Sequence, residues 1–330
     1  MELIRGLHNI RTQHKGCVMT IGKFDGVHLG HKAVLTSLIK QAKALGLPST
    51  VMVFEPQPEE VFTPEHAPAR LSRWRDKYDA LKAIGIDRLI CVHFTQKFAS
   101  QSPQHFIQHT LVDALGVEFL VVGDDFRFGQ ARLGDFAMLQ AAGQQHNFAV
   151  VNTASYRLDN NRISSTAIRE ALAADKFTLA NDMLGREFTI NGRVVHGQAR
   201  GRTIGFPTAN VNLQRAKAPI VGVFAVQVLC QGQRYNGVAN IGTRPTADGH
   251  QGLLEVHIFD FDQDIYGQYL HVAVQHKLRG IKKFDTFAQL KTQIAHDAQQ
   301  ARALLSDPFA TPSFATTNPL QPNPCNKHPG

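Results

Sequence analysis

Two histidines and three glycines cluster at the predicted start of the first helix, in the stretch GKFDGVHLGHKAVL (22–35). A helix N-terminus presents unpaired N–H groups and a partial positive charge that attract phosphate, and glycines let the backbone approach an anion closely. His28 and His31 could both donate hydrogen bonds to a phosphate held there. Such groups suit phosphoryl or nucleotidyl transfer, which depends on positioning and on stabilising developing charge.

The same two histidines permit other interpretations. A metal pair would need a further Cys or carboxylate ligand nearby, which the spacing does not supply. Surface histidines without a role fit the spacing equally well. The segment has neither the GxxxxGK[ST] pattern of a P-loop nor GxGxxG. Spacing alone therefore leaves a phosphate site and a non-functional pair open.

Hydroxyl-bearing residues form a second candidate phosphate site in RISSTAIREAL (162–172). Ser164, Ser165 and Thr166 stand at a predicted helix start, where they could cap the helix or bind phosphate oxygens. Arg169 follows one turn later and could supply positive charge. A capped helix with a surface arginine is the alternative.

A third candidate is GRTIGFPTANV (201–211), in which an arginine lies between two glycines. Thr208 and Asn210 alternate, so in an extended segment their side chains share one face. A hydroxyl and an amide oxygen on that face could hold Mg²⁺ and ATP phosphates. A structural loop that leads into a strand is the alternative.

Apolar strands and amphipathic helices alternate through the first half of the chain. This order predicts a parallel sheet with crossover helices, in which ligands bind at the carboxyl ends of the strands. The first histidine motif follows the first predicted strand and so lies at such an end. The predicted strands cover 17–21, 50–54, 88–94, 118–123 and 148–152, and the predicted helices 31–45, 72–84, 102–115 and 134–145.

After about residue 183, short β-rich runs broken by glycines replace the helical pattern. They predict an antiparallel barrel, with a hairpin at QGQRYN and a closing helix over 284–305. DxDxD at 260–264 is interpreted as a turn, because Ile265 stands where a calcium loop needs glycine. The predicted domains are 1–183 and 184–306, followed by a disordered tail at 307–330.

Composition narrows the class of protein. The 330 residues suffice for two domains, and the formal charge is +8, of which +2 falls in residues 1–183 and +6 in 184–330. A basic surface fits nucleic acid or an anionic small ligand, but no run of five basic residues occurs. The four cysteines contain no CxxC pair, so free thiols are expected. Without a long apolar run or a signal sequence, a cytoplasmic protein is expected.

The motifs together resemble those of the bacterial bifunctional riboflavin kinase/FMN adenylyltransferase family, also called FAD synthetases. HLGH (28–31) matches the HxGH signature of the nucleotidyltransferase superfamily. FEPQP (54–58), GDDFRFG (123–129) and RISSTAIREAL are similar to that family's further motifs, in the same order. GRTIGFPTANV resembles the GRxxGFPTAN motif of riboflavin kinases, and LEVHIFDF (254–261) resembles the segment that carries their catalytic base.

The resemblance implies an α/β, Rossmann-like nucleotidyltransferase domain with a parallel sheet, followed by an antiparallel β-barrel riboflavin kinase domain with a C-terminal helix. The barrel would phosphorylate riboflavin with ATP to FMN. The first domain would adenylylate FMN with a second ATP, giving FAD and pyrophosphate. Mg²⁺ is the implied cofactor, and riboflavin, FMN and ATP are the implied partners, with no nucleic acid or membrane.

The resemblance also implies roles for individual residues. ATP in the adenylyltransferase would contact Gly22, Phe24, Asp25, Gly26, His28, His31, Ser164, Ser165, Thr166 and Arg169, the two histidines being catalytic. Its flavin would contact Phe54, Pro56, Asp125, Phe126, Arg127 and Phe128. ATP in the kinase would contact Gly201, Arg202, Gly205, Thr208 and Asn210, and the last two would hold Mg²⁺. The kinase flavin would contact Asn240, Arg244 and Arg279, and Glu255 would be the base.

The sequence departs from the family at a few positions. Gln57 stands where the family often has histidine, and Ile281 replaces an acid. These departures concern flavin contacts rather than the ATP motifs. An enzyme with a single active module, and a nucleic-acid-binding protein that uses the basic second half, are the two other hypotheses.

Overall fold

The computed structural model describes residues 1–306 except 124, 154–156, 159–160, 198–204, 214–216 and 247–248; for 157–158, 161–162, 244–246 and 249–251 it describes the backbone alone. Gly201, Arg202 and the predicted tail therefore lie outside the described residues. Within the described part, none of the helices is long and apolar enough to cross a membrane.

A six-stranded parallel sheet forms the first half, as predicted. Its strands are β1 (Glu2–Arg5), β2 (Cys17–Ile21), β3 (Ser49–Glu55), β4 (Arg88–His93), β5 (Val117–Val122) and β6 (Ala149–Asn152). They lie in the order β1-β4-β3-β2-β5-β6. The sequence pattern does not reveal β1, because only one of its four residues is buried. A separate pair, β7 (Arg157–Leu158) and β8 (Asn161–Arg162), is antiparallel.

Helices connect the strands. They are α1 (Leu29–Leu45), α2 (Pro58–Phe62), α3 (Trp74–Ile84), α4 (Gln96–Ala99), α5 (Pro103–His105) with its π-helical continuation (Phe106–Ala114), α6 (Phe136–His146), α7 (Ser165–Ala173) and α8 (Phe177–Leu184). Short 3₁₀ turns lie at Leu7–Asn9, Thr12–His14, Pro64–His66 and Gln130–Arg132. The longer helices agree with the sequence prediction. α2 and α4 are too short to show a helical period.

Both faces of the sheet are covered, which explains why β2 is buried at all five positions. Helices α1 and α3 bury Leu35, Leu38 and Leu81 against one face. The π-helical segment and α6 bury Leu111 and Leu139 against the other. The carboxyl ends of the strands are thereby left as the open edge of the sheet, where a ligand site is expected.

The second half is a closed antiparallel barrel, as predicted. Its strands are β9 (Thr189–Val195), β10 (Ala209–Asn212), β11 (Gly222–Cys230), β12 (Gln233–Thr246), β13 (Gly249–Ile258) and β14 (Tyr269–Arg279), in the order β10-β13-β12-β11-β14-β9. The predicted hairpin joins β11 to β12 through Gln231 (φ 49°) and Gly232 (φ 84°). Two positive φ values suit the two-residue turn that antiparallel strands favour. The DxDxD segment lies in the β13–β14 connection.

A final helix, α9 (Phe287–Ser306), packs on the outside of the barrel. Its Ala298, Ala301 and Leu305 form a buried cluster with Ala225 and Phe259. The small side chains allow the helix to approach the strands closely. The helix thus closes one side of the space beside β12 and β13.

The first turn of α3 contacts the barrel directly. Arg73 Nη1 donates a hydrogen bond to the backbone oxygen of Asn191 at 3.0 Å, and Asn191 Nδ2 donates to Asp76 Oδ1 at 3.1 Å. The hydroxyl of Tyr269 donates to the same carboxylate oxygen at 3.3 Å. These bonds join the two domains at the N-terminus of one helix.

Candidate active sites

The loop between β2 and α1 has an unusual backbone. Phe24 (φ 47°) and Val27 (φ 42°) adopt positive φ values, which are uncommon outside glycine, and Gly26 has φ 81° between them. A Cβ on Gly30 would lie 3.2 Å from the His28 ring and 3.3 Å from the backbone oxygen of Ile163. Such strain is typical of loops that hold ligands. The loop lies at the carboxyl end of β2, where the sequence predicts a site.

The two histidines of this loop form one unit. His28 is the N-cap of α1, 4% exposed, and its Nδ1 accepts a hydrogen bond from the backbone N–H of His31 at 3.3 Å. The two rings stack with centroids 3.6 Å apart at an angle of 18°. Because His28 Nδ1 is an acceptor, its neutral ring carries the proton on Nε2.

Burial keeps both histidines uncharged near neutral pH. It lowers the pKa of His28 to about 4, with Arg186 and Arg169 adding to the effect and Asp25 opposing it. The pKa of His31 also lies well below its ordinary value, because of burial and then of His28 and Lys77. The pair can therefore donate hydrogen bonds to phosphate oxygens as neutral imidazoles.

Asp25 anchors this loop. It is 1% exposed and accepts hydrogen bonds from the backbone N–H groups of Leu71 and Ser72 at 3.0–3.1 Å. Arg169 Nη2 donates to its second oxygen and forms an ion pair. The carboxylate, which the sequence analysis names as an ATP contact, thus already has several protein donors and holds the loop to neighbouring segments.

The second phosphate motif contacts the first through Asp25. Ser164 is the N-cap of α7, where its Oγ accepts from the N–H of Ala167 at 3.1 Å. The hydroxyl of Ser165 donates to the backbone oxygen of Asp25 at 2.9 Å. Thr166 is exposed at the helix start. The N-termini of α1 and α7 are therefore brought together although about 135 residues separate them.

Removing the charge of the anchor is expected to destabilise the first domain. In Asp25→Asn the ion pair with Arg169 is lost, and the new amide presents N–H groups to backbone donors. Loss of one partner of a buried ion pair typically costs about 3–5 kcal/mol. Urea unfolding followed by the fluorescence of Trp74, the only tryptophan, measures this domain. An unchanged midpoint, equal to that of the control Asp113→Asn at an exposed position, would contradict the anchoring role.

An aromatic cavity of about 430 Å³ lies at the ends of β3 and β5. It is lined by four of the predicted flavin contacts, Phe54, Phe126, Arg127 and Phe128. Pro56, which follows a cis peptide bond, and the exposed Asp125 are not among its lining residues. The volume and the aromatic walls suit a planar ring system.

Four further phenylalanines line this cavity that sequence reasoning did not select. They are Phe62, Phe94, Phe98 and Phe106. Phe98 contacts the predicted Phe54 with ring centroids 5.9 Å apart. The signal in the sequence is weak, because these residues come from three different helices and a strand end. Only the tertiary fold brings these four side chains together in the wall of the cavity.

The kinase motif assembles across three neighbouring strands. In register, Asn210 of β10 and Asn240 of β12 both lie opposite Glu255 of β13, so the three side chains share one face of the barrel. Asn240 Nδ2 donates a hydrogen bond to Glu255 Oε2 at 3.3 Å. The structure therefore brings together three residues that the sequence singled out separately.

Two cavities meet at Thr208. One of about 510 Å³ is lined by Glu255, Asn240 and Arg279, and by α9. The other, of about 330 Å³, lies beside the β13–β14 connection, and Tyr266 forms part of its wall. Because Thr208 lines both, a ligand in one cavity can meet a ligand in the other at this residue. Gly205 is exposed with φ 83°, and the side chain of Arg244 is outside the described atoms.

Arg279 is held by α9. Its guanidinium donates to both carboxylate oxygens of Asp297 at 2.8–3.1 Å and lies 5.7 Å from the centre of the Phe284 ring. Asp297 is 2% exposed and lines the same cavity. The sequence gives no sign of this partner, because helical spacing accounts for Asp297 as an ordinary surface acid.

No cluster of three or more His, Cys, Asp or Glu side chains suited to a metal ion occurs among the described residues. Thr208, Asn210 and Glu255 instead supply hydroxyl, amide and carboxylate groups at neighbouring positions. Oxygen ligands of this kind suit Mg²⁺, which usually shares its coordination sphere with substrate phosphates and water.

Comparisons with known proteins match both halves. A family model described as FAD synthetase matches residues 10–167, and one described as riboflavin kinase matches residues 184–305. The chain is 52% identical over 307 residues to a bifunctional riboflavin kinase/FMN adenylyltransferase of Haemophilus influenzae, covering 93% of this chain and all of the relative. It is 50% identical to the protein of that name from Escherichia coli K12, covering 92% and 97%.

A solved structure extends the similarity to the fold. It is described as a macrolide-efflux protein from Streptococcus pneumoniae, is 33% identical, and superimposes with a TM-score of 0.74. The match covers 92% of this chain and 99% of the other. Both halves of the present fold therefore occur together in that structure.

Proposed function

This chain belongs to the bifunctional riboflavin kinase/FMN adenylyltransferase family and converts riboflavin to FMN and FMN to FAD, and from this premise we propose which residues carry each step. The observation that supports this assignment is that the two residue sets lie in separate domains, with the aromatic cavity in the first domain and the two cavities that meet at Thr208 in the second. We assign adenylyl transfer to residues 1–183 and kinase activity to residues 184–306, a division supported by the end of α8 at Leu184.

In the kinase, Glu255 accepts the proton of the ribityl 5′-hydroxyl as its oxygen attacks the γ-phosphorus of ATP, and ADP leaves. The position of Glu255 in the larger cavity and its hydrogen bond from Asn240 support this role. Arg279, fixed by Asp297, lies on the wall assigned to the flavin. ATP is assigned to the smaller cavity, with Thr208 at the junction between the two.

Mg²⁺ is assigned to Thr208 and Asn210. Their oxygens and the nearby carboxylate fit a hard cation, as the donor set indicates. When bound, the ion supplies positive charge that offsets the phosphate charges of ATP. Thr208 and Asn210 orient it beside the reacting groups.

In the adenylyltransferase, a phosphate oxygen of FMN attacks the α-phosphorus of ATP, and the bond to the β-phosphate breaks to release pyrophosphate. His28 and His31 donate hydrogen bonds to the oxygens on which charge develops. The N-terminus of α7 supplies N–H groups and hydroxyls for the departing phosphates. The aromatic cavity holds the isoalloxazine ring. No covalent enzyme intermediate is needed, and a cytoplasmic location is in keeping with these soluble substrates.

A time course tests the complete assignment. With riboflavin, excess ATP and Mg²⁺, chromatography should show FMN rising first and FAD following, and omission of Mg²⁺ with added chelator should stop both. Accumulation of FMN without FAD would identify an inactive adenylyltransferase. Undiminished turnover in chelator would remove the metal from the proposal.

A further inference from the structure

Lys77, in the second turn of α3, is an unexplained buried cation. It is 1% exposed and belongs to the largest fully buried side chains of the described chain. Its Nζ has no hydrogen-bond partner among the described residues. Burying an ammonium group without a partner is costly, and such groups cluster at functional sites. If this position were needed for packing alone, an apolar side chain would fill it at a lower free-energy cost.

The acidic neighbours of Lys77 attract its charge, but none of the described groups accepts a hydrogen bond from its N–H groups. The titratable groups that face it are Asp25, His31, Glu55, Glu60, Arg70 and Cys91. Asp25 is paired with Arg169, while Glu55 and Glu60 are both paired with Arg70. Burial lowers the pKa of Lys77, and Asp25 and Glu55 act in the opposite direction.

His31 has a buried ring nitrogen that lacks a hydrogen-bond donor. Its Nδ1 is buried and likewise has no hydrogen-bond partner in the described structure. The positive charge of Lys77 is the smallest of three causes that lower the pKa of His31, after burial and His28. An ammonium group that lacks an acceptor and an imidazole nitrogen that lacks a donor are thus both buried where α3 packs against α1, and the ring of His31 contacts Phe24 of that same buried cluster.

We propose that Lys77 is a positioning residue for adenylyl transfer: it donates a hydrogen bond to a water that in turn donates to His31 Nδ1, and so holds the ring proton on Nε2. The partner of one ring nitrogen sets the state of the other. His28 is fixed in the same tautomer by the backbone N–H of His31. The two stacked rings then both present Nε2–H to a phosphate. This inference rests on the role proposed for His31.

Lys77→Met separates this role from simple packing. FAD formation from supplied FMN should fall roughly 10- to 100-fold in kcat, by analogy with the loss seen when the orienting partner of a metal-ligating histidine is removed. The KM for FMN and the formation of FMN from riboflavin should stay unchanged. Thermal stability should be equal or higher, because an unpaired buried charge is gone. Lys82→Met, at an exposed position of the same helix, is the control.

The pH profile gives a readout that packing would not move. Lys77 helps to keep the pKa of His31 low, so its removal should raise that pKa and move the acidic limb of FAD formation to higher pH. Unchanged kcat and an unchanged profile in folded Lys77→Met would overturn the proposal. Equal loss of both activities together with lower thermal stability would also overturn it, since that is the result of a packing role.

A spectroscopic measurement on the unmutated protein does not depend on the folding of a variant. The ¹⁵N shifts of its histidine rings, with ATP and Mg²⁺ but no flavin, should show His31 protonated on Nε2; His31→Ala assigns the signal. Protonation on Nδ1 would overturn the proposal. If His31→Ala formed FAD normally, the proposed active site itself would fail; if only Lys77→Met were normal, this inference alone would fail.

Discussion

His31→Ala should abolish FAD formation while the same protein continues to make FMN. The ring is half of a stacked pair at the N-terminus of α1, where the backbone already favours a phosphate group. Replacing it with a methyl group removes the donor that we assign to the charge developing during the reaction. Loss of one such preorganised donor typically costs about 10²–10³-fold in kcat. Loss of the stacking partner of His28 should add to the defect.

Two assays on one preparation measure this effect. FAD is followed from supplied FMN and ATP, and FMN is followed from riboflavin and ATP. The kinase assay shows that the barrel has folded together with α7 and α8, which share its continuous buried core. His105→Ala, at an exposed helical histidine, is the matched control. FAD formation at the unmutated rate would remove His31 from the site.

Local patterns predict the fold well because the order of apolar and polar residues shows whether a strand or helix is buried on one face or on both. The continuous apolar run of β2 and the helical spacing of α1 are examples, and both the parallel sheet and the closed barrel follow from such runs. β1 escapes this reasoning, since four residues with one buried side chain carry almost no pattern. It is recognised only through its pairing with β4.

The candidate sites are predictable only in part, because residue type does not reveal what a side chain contacts. The family resemblance implies that Asp25 contacts ATP, yet backbone donors and Arg169 already engage its carboxylate. Phe98 and Asp297 reach their cavities from helices distant in sequence. Lys77 shows the same limit, since no motif marks a lysine within an amphipathic helix. Tertiary packing decides each of these cases.

Helix α3 connects the two domains, yet the active sites that we assign to them stay separate. Its first turn is bonded to the barrel through Asp76, and the next residue, Lys77, is buried on the helix that packs against α1. The residues that we assign to the two active sites are nevertheless separate. Substitutions in one site should therefore leave the chemistry of the other unchanged, which makes the two activities independent reporters in a single chain.

Glu255→Gln should show the reverse selectivity, abolishing FMN formation while FAD is still made from supplied FMN. The substitution keeps the size of the side chain and its place opposite Asn210 and Asn240 but removes the carboxylate that we propose as the proton acceptor. Loss of a general base typically lowers the rate about 10²–10⁴-fold. From riboflavin the variant should make neither product, since FAD formation depends on FMN.

The matched control for this experiment is Glu187→Gln, at a barrel-domain glutamate whose partners are Arg234 and Gln275 and which does not line either kinase cavity. Raising the pH distinguishes a base from a merely structural carboxylate: hydroxide can take over part of the proton transfer in Glu255→Gln, so its residual rate should climb with pH more steeply than that of the unmutated protein. A variant that phosphorylates riboflavin normally would show that the hydroxyl loses its proton elsewhere. A parallel loss of FAD formation from supplied FMN would show instead that Glu255 supports the fold of the whole chain.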